Sequence, residues 1–208
     1  MRREWRWGIA AVVALSIGAI GAEPYAKLAA PYYTVAARWI AEGRPWQVAG
    51  IDVAPNRSGP GSVLRLTGFV RQRADDAQPA ANLISKLQVA AVVESPLIFW
   101  TVLFLWPVAS CRRRVALLAL GVPVFLGLEG ATTVCQLINP LAYGSAVLAG
   151  GSDPVTPWEH WSRFLEAGGR VALAVGAALL VVAIVGSVIY ARSSRRRPMN
   201  PSEIANSA

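Results

Sequence analysis

Val171 to Tyr190 is a run of twenty residues without one charged side chain. As a helix it would be about 30 Å long, the thickness of a bilayer's hydrocarbon core. The rest of the chain supports that reading. Hydrophobic residues make up 54% of the sequence and charged residues 15%, against roughly 25% charged in a typical soluble domain. Further apolar runs stand at Trp7–Ala22, from about Val89 to Ser110, and from Val115 to about Leu137.

The net charge of +8 would point to nucleic acid if the chain were soluble. Its placement says otherwise. Arg2, Arg3 and Arg6 precede the first run, Arg112, Arg113 and Arg114 separate two others, and Arg192, Arg195, Arg196 and Arg197 follow the last. Clusters flanking apolar runs act as topology signals and headgroup contacts, so no nucleic-acid partner is expected. With four spans all three clusters fall on the cytoplasmic side, together with both termini.

The sequence therefore predicts an all-α polytopic membrane protein of four transmembrane helices, with a small extracytoplasmic β-hairpin and an amphipathic helix. Residues 1–22 form the N-terminal anchor, and residues 23–86 the extracytoplasmic segment. Residues 87–190 form a three-helix membrane region with an outer loop at 139–156. Residues 191–208 form a basic, disordered cytoplasmic tail. The anchor also has the basic start and apolar stretch of a signal peptide, with Ala19-Ile20-Gly21 as a passable cleavage site. Ala10, Ala14, Gly18 and Ala22 give it one small-residue face.

Within 23–86, Pro24 to Glu42 reads as an interfacial amphipathic helix interrupted at Pro31. Alternation around Asp52 and Arg65, with Pro55 to Gly61 between, predicts a hairpin of roughly 46–54 with 62–72. Further on, Thr156-Pro157-Trp158-Glu159 is a capping box opening the last helix.

Glu94 and Glu129 lie inside apolar runs, where ionisable groups are costly and often functional. Arg163 and Arg170 fall near the outer end of the last helix, so Glu94, Glu129, Arg163 and Arg170 form a candidate intramembrane polar cluster. The structural alternative is that Glu159 pairs with Arg163 and Glu166 with Arg170, each four residues apart. Cys135, His160 and Arg163 are the candidates for thiol catalysis, because a thiol nucleophile needs a base or cation nearby. Against that reading, a small cysteine packed in a helix is common and an interfacial turn is a natural place for a histidine. Cys111 and Cys135 are separated by about 36 Å if helical, which excludes a disulfide between them. His160 is the one histidine in the chain, so no metal-ligand spacing exists, and no cofactor is expected.

The order of parts resembles a known family. A short anchor, an interfacial segment, a small β-rich insertion and two helices joined through Trp106-Pro107 to Arg112-Arg113-Arg114 are followed by a helix opening with Trp161-Ser162-Arg163-Phe164. This layout is similar to the exosortase-associated small membrane proteins, in particular those accompanying exosortase H. Exosortases are membrane transpeptidases acting on proteins with a C-terminal sorting signal. They use Cys, Arg and His in that chain order, whereas here the order is Cys135, His160, Arg163. The resemblance thus implies a non-enzymatic accessory protein in the bacterial inner membrane, with an exosortase-like enzyme as partner and no catalytic residues transferred. An intramembrane thiol transpeptidase or protease, and a small transporter or sensor subunit using Glu94 and Glu129, are the alternatives.

Overall fold

A computed structural model describes the backbone of residues 2–70, 81–108, 110–150 and 156–194, and the side chains of 21–70, 81–108, 110–150 and 156–188. The elements run α1 (Arg2–Ala41), β1 (Trp46–Pro55), β2 (Ser62–Val70), β3 (Ala81–Gln88), α2 (Val89–Leu105), α3 (Cys111–Glu129), a π-turn (Gly130–Val134), α4 (Cys135–Leu148), α5 (Pro157–Phe164), a second π-type segment (Leu165–Gly169) and α6 (Arg170–Ser194). The small-residue face of the anchor and the C-terminal tail lie outside the residues whose side chains are described.

The hairpin forms, with β1 antiparallel to β2 from Trp46↔Val70 to Pro55↔Ser62. It gains a third strand, β3, antiparallel to β2, so the sheet order is β1-β2-β3. The alternation explains the third strand: Leu83, Ser85 and Leu87 turn inward while Asn82, Ile84, Lys86 and Gln88 turn outward.

The inner face of the sheet is covered by α1 and α4. Tyr33 and Ala37 of α1 and Leu137, Ile138 and Leu141 of α4 pack on Trp46, Val48, Leu64, Leu66 and Val70. Fully burying leucines such as Leu64, Leu66, Leu137 and Leu141 contributes roughly 1.5–3 kcal/mol each. Close approach is essential at Gly68, where a Cβ would lie 2.8 Å from the Gln47 carbonyl and 2.8 Å from both Leu141 methyls.

At β1, α1 also takes up hydrogen bonds the sheet leaves free. The register shifts between Val48 and Gly50, a bulge that turns carbonyls out of the ladder. Arg38 donates to the Val48 and Ala49 carbonyls, at 3.3 and 2.5 Å, and Thr34 Oγ1 accepts from the Ile51 N–H at 3.2 Å.

A second core gathers Phe99 and Leu103 of α2, Leu117 and Leu128 of α3, and Ala174, Ala178 and Val181 of α6. Gly121 lets α2 and α3 meet, since a Cβ there would stand 2.9 Å from Leu103. Arg114 closes the turn between them by donating to the Leu103 and Phe104 carbonyls at the end of α2, each at 2.9 Å.

The all-α, four-span architecture is not what forms. Among the described residues two helices are long and apolar enough to cross a bilayer, Cys111–Leu148 (38 residues) and Pro157–Val188 (32 residues). Only 28% and 22% of their most apolar windows are buried inside the molecule, so their greasy surface faces outward, as membrane association requires. The apolar helix Val89–Leu105 has 17 residues, about 26 Å. The physical reason for the difference is a shared core. The segment 23–86 does not lie as a satellite beside a helix bundle. It takes α4, part of the expected third span and outer loop, as the cover of a three-stranded sheet.

Prolines end neither α1 nor α4. α1 runs through Pro24 and Pro31, and α4 through Pro140. All three sit on exposed faces, while Ala26, Ala30, Tyr33, Ala37 and Ala41 in α1 and Leu137, Ile138 and Leu141 in α4 make continuous buried stripes. Packing along the stripe offsets the hydrogen bond each proline removes.

Candidate functional site

The two cores meet in a layer of buried polar side chains. Tyr33, on the buried stripe of α1, has its hydroxyl donating to Glu129 Oε2 at the end of α3. Thr133 Oγ1, one turn further on, lies 3.5 Å from the same oxygen. Tyr25 Oη stands 3.4 Å from Tyr33 Oη. Glu129 is 1% exposed, and its Oε1 has no hydrogen-bond partner among the described residues.

The helix widens directly after Glu129 into the π-turn Gly130–Val134. A π-turn shifts carbonyls out of the α-helical ladder. The Trp161 indole N–H donates to one of them, Ala131 O, at 2.6 Å, and Tyr32 donates to the Leu126 carbonyl just before. Trp161→Phe keeps the ring and deletes that donor. It is expected to cost about 1 kcal/mol, read as a lower thermal midpoint in detergent. A midpoint equal to the native one would show that the tie carries no weight.

Arg170 opens α6 immediately after the second π-type segment, where Gly168 at φ 99° breaks the helix. Only a glycine adopts that conformation without strain. The break aims Arg170, 5% exposed, back at α2, where its guanidinium donates to the Ala91 carbonyl. Arg170 also feels the charges of Glu94, Glu129 and Glu166. One buried carboxyl and one buried guanidinium thus share a layer where the end of α3 adjoins the start of α6.

Of the four residues of the expected cluster, the structure brings together Glu129 and Arg170. Glu94 is exposed on α2 and acts on Arg170 through space. Arg163 lies elsewhere: it is exposed and pairs with Glu159 four residues earlier. Glu159 also marks the helix start foreseen at Thr156, whose Oγ1 accepts from the Glu159 N–H at 3.3 Å. Cys135 is partly buried in α4, and His160 is exposed on α5. Among the described residues no charge and no hydrogen bond from either His160 or Arg163 acts on the Cys135 thiol, whose surroundings are those of plain burial. A thiol without a neighbouring base or cation is a poor nucleophile. Among the described residues no group of three His, Cys, Asp or Glu side chains stands together as metal ligands would.

Tyr33, Tyr25, Thr133 and Trp161 are the site residues the sequence reading passed over. One signal was available: Tyr33 is the only large side chain on a stripe of alanines, and a buried phenol needs a partner.

No protein-family model, no curated protein and no solved structure matches this chain.

Proposed function

We propose that the chain is a non-enzymatic accessory membrane protein of an exosortase-type protein sorting or export system in the bacterial envelope. Its partner is a membrane enzyme of that type. The observation that carries the reading is the division of labour between the two cores. A sheet lobe with its own core is tied to outward-greasy helices through Glu129–Tyr33 and Arg170–Ala91. Such ties hold a polar lobe at a fixed height over a membrane. The similarity of layout to exosortase-associated proteins supplies the partner.

The same reading puts both termini in the cytoplasm. The end of α3 and the start of α6 adjoin at Glu129 and Arg170, and the two helices pack on each other away from that point. Their far ends carry Arg112–Arg114 and the arginines from Arg192 onward. Positive charge at both far ends favours the cytoplasmic side.

The test is a deletion strain. Substrates with a C-terminal sorting signal should accumulate unprocessed, and the tagged chain should copurify with the transpeptidase from solubilised membranes. Normal processing without the chain rejects the proposal. A second reading, a proton- or ion-binding subunit, is favoured by one specific feature, the unpartnered buried Oε1 of Glu129.

A further inference from the structure

The outer face of the sheet, opposite the one α1 and α4 cover, carries a charged ladder. Asp52, Arg65 and Lys86 stand side by side across β1, β2 and β3. They line a cleft of about 490 Å³ together with Arg57 from the hairpin loop, Val53 and Ile84. Ile84 is 56% exposed, unusual for an isoleucine in a strand. Three cations face one anion there. Arg65 is committed to Asp52 in a two-point pair, Nε–Oδ1 3.0 Å and Nη2–Oδ2 2.6 Å, which holds the Asp52 carboxyl below its ordinary range. Arg57 and Lys86 have no ion-pair partner among the described residues.

The cleft also opens onto a sheet edge. Among the described residues β3 pairs on one side only, with β2. Its outward side chains Ile84 and Lys86 alternate along that edge. A strand added beside β3 would lay its own alternate side chains over the same cleft.

We propose that the β3 edge and this cleft dock an extended, acidic segment of a partner protein, one that places an apolar side chain beside Ile84 and a carboxylate beside Lys86. The required pattern is an apolar residue and an acid two positions apart, since side chains two apart share a face. Charge complementarity selects the occupant. A second copy pairing through its own β3 offers no acid, because β3, Ala81–Gln88, contains Lys86 and no Asp or Glu, and two such edges would bring lysine to lysine. The inference rests on the accessory reading for the existence of a partner, and names the face that partner meets.

Binding is measured with the full chain in neutral nanodiscs. The probe is a fluorescent peptide with Val and Glu alternating on one face and Thr on the other. The peptide should bind, and Lys86→Glu should weaken it roughly tenfold, as expected for replacing an attractive cross-strand pair by a repulsive one. A peptide with Lys in place of Glu should regain affinity for the Lys86→Glu protein. Lys86 is exposed, so the variant should keep the native thermal midpoint, which is measured alongside. No binding, or equal binding to both proteins, overturns the proposal. So does a result in which Lys86→Glu and Arg57→Glu abolish attachment to phosphatidylglycerol vesicles while the peptide fails to bind, which would make the face a membrane contact. Peptide binding and copurification with a transpeptidase fail independently, so loss of this inference is distinguishable from loss of the accessory reading.

Discussion

Glu129→Leu is expected to destabilise the folded protein by about 3 kcal/mol. The estimate combines two hydroxyls that lose their shared acceptor and a buried cation that loses one of the three carboxylates acting on it. Tyr33 is fully buried, so its hydroxyl cannot turn to water instead. Thr133 loses the same oxygen, and Arg170 loses the buried one of the three carboxyls that act on it. For a chain of this size the loss should lower the thermal midpoint by roughly 6–12 °C. In cells it should appear as reduced abundance. Glu129→Gln keeps a carbonyl oxygen where Oε2 stood and should stay within about 1 kcal/mol of native. The pair of variants separates the two functional readings. If the carboxyl is a tie between cores, the Gln protein supports sorting at normal levels. If Glu129 binds a proton or ion, the Gln protein is abundant and inactive.

Gly68→Val should unfold the sheet lobe while leaving the apolar helices in the membrane. The β-carbon of any larger residue meets a backbone carbonyl, Gln47 O, and not merely a flexible side chain. Crowding of this kind typically costs about 1–3 kcal/mol, and the two added methyls put Val at the upper end. Leu141→Ala removes one of the two clashes and should recover only part of the loss, because Gln47 O remains. Gly50→Ala is the control, since nothing lies within 4 Å of its added carbon. Limited proteolysis at the loop between Pro55 and Ser62 reads the lobe directly. Rapid cleavage in Gly68→Val with the α6 fragment still in the membrane fraction is expected. Equal resistance of the Val and native proteins would show that α4 does not press on the sheet there.

How much of this was legible in the sequence depended on how local the cause was. The charge-free run of α6, the hairpin around Asp52 and Arg65, and the Thr156 cap all follow from residues within a few positions of one another. The third strand was less visible because Leu83, Ser85 and Leu87 put a serine on the inner face, which weakens the alternation. Pro31 misled for a non-local reason. Whether a proline ends a helix depends on whether the opposite face is buried, and α1 and α4 bury theirs against strands. The expected four-span, all-α architecture failed on the same ground: hydropathy sees apolar residues without seeing that α4 spends them on a sheet. The polar junction was half legible. Glu129 and Arg170 were conspicuous as charges among apolar residues, but Tyr33 lies 96 positions from Glu129, and nothing in either segment names the other.

The central claim is that the sheet lobe and the apolar helices are tied together through the Tyr33–Glu129 contact. A double-mutant cycle tests it most directly, with Tyr33→Phe, Glu129→Leu and the combined variant compared by unfolding of the full chain in detergent. Residues in direct hydrogen-bond contact show coupling of about 0.5–3 kcal/mol. The account predicts a coupling of at least about 1 kcal/mol, with the double variant hardly worse than the poorer single one. Strictly additive losses, with coupling indistinguishable from zero, would contradict it.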